Sequence, residues 1–414
     1  IHTAIASAKD ITNPQVKSRL DECILNFRVP LITSLRFRAS MDEKATVRRA
    51  AIIALVEIIL FNNGTSEHDD IAVLSQMCNA SSVAVRKSAL DAIVSLHLQE
   101  QESEDINHES LLVLESSWAD VVLPLVYDTE NACAVKVVES FLDLVINPII
   151  DYEGGNDTDT MADDNDNATS AVKYQSAWRM LSRINTASSS AGSSKGGKNA
   201  LVVVLQKSFE VMESSDQRNI CRALFKELHA NVVEELHSTF SQETQGILSD
   251  RMIGSWCLLE GITSLLSTNE LDIKKEIKKS SIGTDFLVDC WESISDWCNT
   301  SNPRGRKNPR YIATARSCLR VISAFAPMMT QEAATRLSQS IIQSLKHCSL
   351  GLDVIGSSIA ALVQITQSLN NNSAPSTQKA CTDWINDALK DCETILNGFV
   401  TPNGSLSPYL DRAL

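Results

Sequence analysis

The sequence predicts an all-α fold, a solenoid of stacked antiparallel helix pairs, and two observations carry that expectation. One is a recurring step in which a Val followed by Arg or Lys opens an apolar stripe. It occurs as Val47-Arg48-Arg49-Ala50-Ala51, as Val85-Arg86-Lys87-Ser88-Ala89-Leu90 and as Val135-Lys136-Val137-Val138. The other is composition. The 414 residues are 43% hydrophobic but only 5% aromatic, with 15 Gly and 10 Pro. Few aromatics and few turn-formers suit helix-on-helix packing better than a sheet sandwich.

The first two steps lie 38 residues apart and the next two 50 apart. Removing the polar, acidic stretch 99–110 as an insert restores a spacing of 38. Each step starts a stripe at the three-to-four-residue spacing of one helical face: Val47, Ala51, Ala54 and Ile58, then Val85, Ala89, Ala92 and Leu96, then Val135, Val138, Leu142 and Val145. A shorter apolar helix precedes each, at Pro30–Arg38, Ile71–Cys78 and Trp118–Tyr127. Turns with capping residues join the members of each pair, at Asp42, at Ser81 and Ser82, and at Asp128 to Asn131. A unit of about 40 residues cannot bury its apolar face alone, so the units must stack. The cations Arg48, Arg86 and Lys136 fall in first helical turns, where the helix dipole disfavours them. Pairing with a loop carboxylate such as Asp42 or Asp128 would answer that cost.

Residues 1–150 therefore form the first repeats. Residues 151–170 hold seven acids and no base and read as a flexible acidic insert. Residues 171–414 are further helical repeats, interrupted by a Ser/Gly linker at 187–198. Helical patterns cover about 171–186, 199–213, 216–240, 249–268, 283–299, 309–326, 330–348, 352–371 and 376–397.

The net charge is −14, and it is local. Residues 101–170 carry 17 acids and the single base Lys136, whereas the flanking regions are close to neutral. Eleven cysteines, scattered and without a C-x-x-C, fit small apolar core residues in a reducing compartment. No apolar run reaches the roughly 18 residues of a membrane span, and no secretory signal opens the chain. The chain starts at Ile1 and reads as a fragment of a longer protein.

Sites for chemistry are sparse. Gly192 to Asn199 matches the G-x-x-x-x-G-K pattern of a phosphate loop. It has Asn where the loop needs Ser or Thr, and a low-complexity linker where it needs a strand. The seven histidines show no zinc-ligand spacing, and no catalytic constellation is recognisable. These features predict no enzyme activity, no cofactor, no metal and no small-molecule substrate. A basic loop is the better lead: Arg304, Arg306, Lys307 and Arg310 crowd seven residues beside Tyr311, and such a cluster suits the phosphates of double-stranded DNA or an acidic partner. The bland alternative is a solvated connector.

The wording of the repeats carries a resemblance. The runs Leu35–Ala51, Cys78–Leu90, Trp118–Val126 with Asp128, Ser176–Ile184 and Leu337–Leu350 resemble the D-type HEAT-repeat subunits of condensin II, in that family's order. The resemblance implies a HEAT-repeat solenoid with no catalysis of its own, working in the nucleus on chromosomes. It implies binding to a kleisin and to the ATPase heads of the SMC pair, and a part in mitotic chromosome condensation. A cytoplasmic HEAT adaptor, such as a transport receptor or phosphatase scaffold without a DNA role, is the alternative that the repeats alone leave open.

Overall fold

The computed structural model describes residues 29–61, 66–103, 106–154, 164–187, 196–212, part of 217–233, 248–265, 283–299, 309–346 and 352–372. Every regular element among them is helical and none is a strand, so the fold is an all-α solenoid. Three helix pairs come first: α1 (29–41) with α2 (Ala45–Phe61), α3 (His68–Met77) with α4 (Val83–Glu102), and α5 (His108–Ser117) with α6 (Asn131–Phe141). The second helices stack on one another, α2 on α4 and α4 on α6, and α3 stacks on α5. Beyond them come α7 (Asn147–Gly154), α8 (Asp164–Ala187), α9 (Gly196–Val211), α10 (Asp250–Ser264), α11 (Thr284–Asn299), α12 (Pro309–Phe325), α13 (Gln331–Lys346) and α14 (Leu352–Asn372). Helix α10 lies between α8 and α12, and α12 packs on α11 and α14.

The stripes form the core. Ala51 and Ile58 of α2 and Val85, Ala89, Ala92 and Leu96 of α4 are buried. The third pair departs from the expected register. Helix α6 starts at Asn131, so the third position of its first turn is Cys133. The same position is Val85 in α4 and Val47 in α2. Cys133 is fully buried, whereas Val135 is 45% exposed and Lys136 pairs at 2.6 Å with Glu139 on the outer face. The Val135-Lys136 step imitates the motif two residues late.

The acidic stretch 99–110 is not an insert either. Residues Gln99–Glu102 complete α4 and His108–Ser110 open α5, so the added length goes into the helices. Asn107 caps α5 by accepting from the backbone of Glu109 and Ser110, and Glu100 accepts from the Asn107 N–H at 2.8 Å. Of the expected flexible insert 151–170, residues 151–154 end α7 and 164–170 begin α8; only 155–163 lie outside the described residues. Of the expected linker 187–198, Ala187 closes α8 and 196–198 open α9.

Two wide π-turns interrupt the regular helices, at Trp118–Val122 and at Leu142–Ile146. Each stands directly ahead of a proline, Pro124 and Pro148. In each, the residue before the proline donates its N–H to the carbonyl five residues back, Leu123 to Trp118 and Asn147 to Leu142. Proline lacks an N–H and clashes with the carbonyl four residues earlier, so widening the turn lets the helix pass through it. The continuous run His108–Tyr127 is, by length and composition, apolar enough to cross a membrane, contrary to the sequence expectation. Here Leu111, Leu114, Trp118, Val122, Leu123 and Val126 of that run are buried within the stack.

Cysteines 78, 133, 221, 257, 290 and 318 are buried and form no disulfide. Burial pushes the Cys78 thiol up to about 12, as befits a small apolar side chain.

Ala89 is fully buried where α4 meets its neighbours. Ala89→Glu is expected to cost about 3 kcal/mol by burying an unpaired charge, read from urea unfolding midpoints. Wild-type unfolding in that variant would place the stripe elsewhere.

Candidate functional site

Charged side chains in this fold are placed by the stack. Arg86, in the first turn of α4, donates to the carbonyls of Ala80 and Ser81 in its own loop. It also forks onto Asp128 in the following loop, at 2.6 and 2.8 Å. That fork holds the Asp128 carboxyl below the usual carboxylate range. Arg48 is the counterpart one repeat earlier and makes the first kind of contact, to the carbonyls of Asp42 and Glu43. Among the described residues it makes no carboxylate bond, and the loop position matching Asp128 is Ala80. Asp42 instead accepts from Arg38 and from the Lys44 N–H. The counterpart in α6 is Ala134, which is buried, so the arginine series stops there.

Helix α8 repeats the pattern at larger scale. Lys173 reaches Glu102 of α4 at 2.8 Å, Arg179 forks onto Glu115 of α5, and Arg183 meets Asp120 at 2.5 Å. Glu102, Glu115, Asp120 and Asp128 all belong to the acidic stretch 101–170. Each is paired with a cation from outside it.

Glu115 sits in a buried network. Ser176 donates to it at 2.6 Å and lies 3.2 Å from His97 Nε2. Because Ser176 spends its proton on Glu115, His97 donates through Nε2 and is neutral. Burial pushes the imidazole down to about 3, with Arg179 adding to the shift. Burial pushes the Glu115 carboxyl up, against the pull of Arg179. A serine, a histidine and a carboxylate in contact suggest a nucleophile set, but the proton runs the wrong way and Ser176 is fully buried. The arrangement ties α4, α5 and α8 together.

The basic loop fares differently from expectation. Arg304, Arg306 and Lys307 lie outside the described residues. Arg310 opens α12, and its guanidinium pairs with Asp250, which also accepts from Ser182 at 2.7 Å. Further along, Arg320 pairs with Glu260 at 2.5 Å, and Arg336 pairs with Glu292 at 2.7 Å. A groove of about 250 Å³ runs beside the Arg320 pair, lined by Asn199, Cys257, Gly261 and Thr263 among others. Among the described residues, no three His, Cys, Asp or Glu side chains converge as metal ligands would.

Sequence reasoning did not single out Gly254. A Cβ there would stand 2.8 Å from the Trp178 carbonyl oxygen, so α10 approaches α8 more closely than alanine allows. A glycine amid an otherwise apolar helical pattern was the available signal.

No protein-family model matches the chain. Over 123 residues the chain is 29% identical to the condensin-2 complex subunit D3-L of Xenopus laevis. That is a likeness to part of a condensin subunit. It takes in 30% of this chain, and the chain spans only 8% of that relative's length. A solved chain from work on the phosphorylation switch between cadherin and beta-catenin aligns over 86% of this chain and 82% of its own. It is 14% identical with a TM-score of 0.19, and it carries no argument here.

The buried imidazole sets a pH dependence. Its folded value lies below the usual 6.5, so its contribution to stability is complete above pH 6.5 and is lost as pH falls toward about 3. Between pH 7 and pH 5 the loss is expected to be about 2 kcal/mol in urea titrations. His97→Gln should flatten that dependence, and an unchanged profile would show that His97 is not the group responsible.

Proposed function

We propose that this chain is part of a non-catalytic scaffold subunit of a condensin II type complex. In this reading it binds the kleisin and the SMC ATPase heads, acts in the nucleus on chromosomes, and promotes mitotic chromosome condensation. The observation that carries the proposal is the 29% identity over 123 residues to the D3-L subunit. The solenoid fits a scaffold role, since its charged side chains hold helix to helix and its long surface is left for partners. In this reading the chain needs no cofactor or small-molecule substrate, and the pattern from Gly192 to Asn199 holds no nucleotide; its described part, 196–199, opens α9.

The direct test is co-expression with a condensin II kleisin. The two chains are expected to co-elute on gel filtration, and separate elution at micromolar concentration would sink the proposal.

The same reading includes contact with double-stranded DNA through Arg304, Arg306 and Lys307. Such contact goes to phosphate and is indifferent to sequence. Arg310 contributes least, being held by Asp250. Replacing Arg304, Arg306 and Lys307 by Ala should flatten the salt dependence of binding by up to about 3 units of slope, with little further change on adding Arg310→Ala. Fluorescence anisotropy on two unrelated duplexes measures this. An unchanged slope would make the loop a solvated connector.

A further inference from the structure

The stacked second helices carry a row of side chains that the stack does not use. The third position of the first turn faces the core: Val85 of α4 and Cys133 of α6 are fully buried, and Val47 of α2 is half-buried. The next residue, Arg48 in α2 and Arg86 in α4, is spent on the carbonyls of its own loop. One residue further stand Arg49, Lys87 and Val135. Arg49 is exposed, Lys87 is half-buried and Val135 is 45% exposed. Among the described residues, no salt bridge holds Arg49 or Lys87. Asp91, one turn beyond Lys87, is within electrostatic reach of it and of Lys136.

Spacing and charge select what fits the row. Helix α2 packs on α4 and α4 on α6, and packed helices stand about 8–10 Å apart. Arg49, Lys87 and Val135 are therefore rungs at that spacing. A polyproline II strand rises about 3.1 Å per residue with three residues per turn, so every third side chain points the same way, about 9 Å apart. In a β-strand the same face recurs about every 7 Å, which misses the rungs. Two cations and then an apolar residue call for two acids and then an apolar side chain. Duplex DNA fits less well. Four residues along from Lys87 stands Asp91, and eight along from Arg49 and Val135 stand Glu57 and Asp143. A turn of helix is only about 5.4 Å, whereas a major groove alone is about 12 Å wide. Phosphates laid on the cations would overhang those acids, but a single peptide strand covers one row.

We infer that Arg49, Lys87 and Val135 form a docking site for an acidic peptide segment of a partner protein, bound across the helices in polyproline II form. Two carboxylates three residues apart meet Arg49 and Lys87, and an apolar side chain three residues further rests on Val135. The cations stay hydrated, so binding is weak and sensitive to salt. A preformed strand keeps the ordering cost low. This inference is independent of the condensin reading.

The probe is a fluorescein-labelled peptide in the order glutamate, proline, proline, glutamate, proline, proline, leucine. Its reversed sequence is used beside it, because a strand can cross the row in either direction. Fluorescence anisotropy with the full chain at low salt is expected to give a Kd below about 1 mM for one of the two. Arg49→Glu combined with Lys87→Glu should weaken that binding by about ten-fold or more. An unchanged urea midpoint shows that the double variant stays folded; if it does not, Arg49→Gln with Lys87→Gln takes its place. A peptide of the same composition with its glutamates adjacent should bind more weakly. Binding of neither ordered peptide overturns the inference. So does binding that the folded double variant leaves unchanged, or that ignores the glutamate spacing. A duplex oligonucleotide that binds the parent more tightly than the peptides, and loses that binding in the double variant, would assign the row to phosphate instead.

Discussion

Arg179 laid along Glu115 is the contact on which the middle of the molecule depends. Glu115 is buried in α5, and a buried carboxylate without a partner is strongly destabilising. Its partner comes from α8, beyond a connection of nine residues outside the described fold, so α5 and α8 must dock together. Once they do, Ser176 is placed to donate to the same carboxylate and His97 of α4 to donate to Ser176. Trp178, adjoining Arg179, then meets Gly254 of α10 at a distance only glycine permits. Three repeats before α8 and the helices after it are thus joined through one turn of one helix.

The same placement changes the meaning of the charge. A stretch with 17 acids and one base carries the chain's net charge, yet four of those acids, Glu102, Glu115, Asp120 and Asp128, are paired with Lys173, Arg179, Arg183 and Arg86. The cations are consumed with them. Many arginines that might face a polyanion are committed to holding helices together, which separates structural charge from charge available to a partner.

Fold class was legible because the repeat is written in short-range spacing. Val47, Val85 and the stripes after them follow helical periodicity, and Arg86 with Asp128 shows why a cation tolerates a first turn. The third pair was misread because Val135-Lys136 copies the motif, whereas the position that packs is occupied by Cys133 and Ala134. Packing, not wording, sets the register there. Residues 99–110 and 164–170 were misread for a related reason: polar composition suggests an insert, but α4 runs on to Glu102, Asn107 caps α5 at His108, and 164–170 open α8. The partners of Glu115 lie 61 and 64 residues away, and no local pattern foretells such a pairing. The basic loop was visible as composition, but the commitment of Arg310 to Asp250 depends on how α12 meets α10.

The wide turns before Pro124 and Pro148 have a geometric consequence. One additional residue in a helical turn rotates every later side chain by about 100° about the axis. The stretch from Asn131 to Gly154 therefore turns one flank to α4 along its first half and another to α8 along its second. A straight rod would have to choose between those neighbours. Proline, usually the end of a helix, here follows a widened turn that shifts which flank each later residue presents.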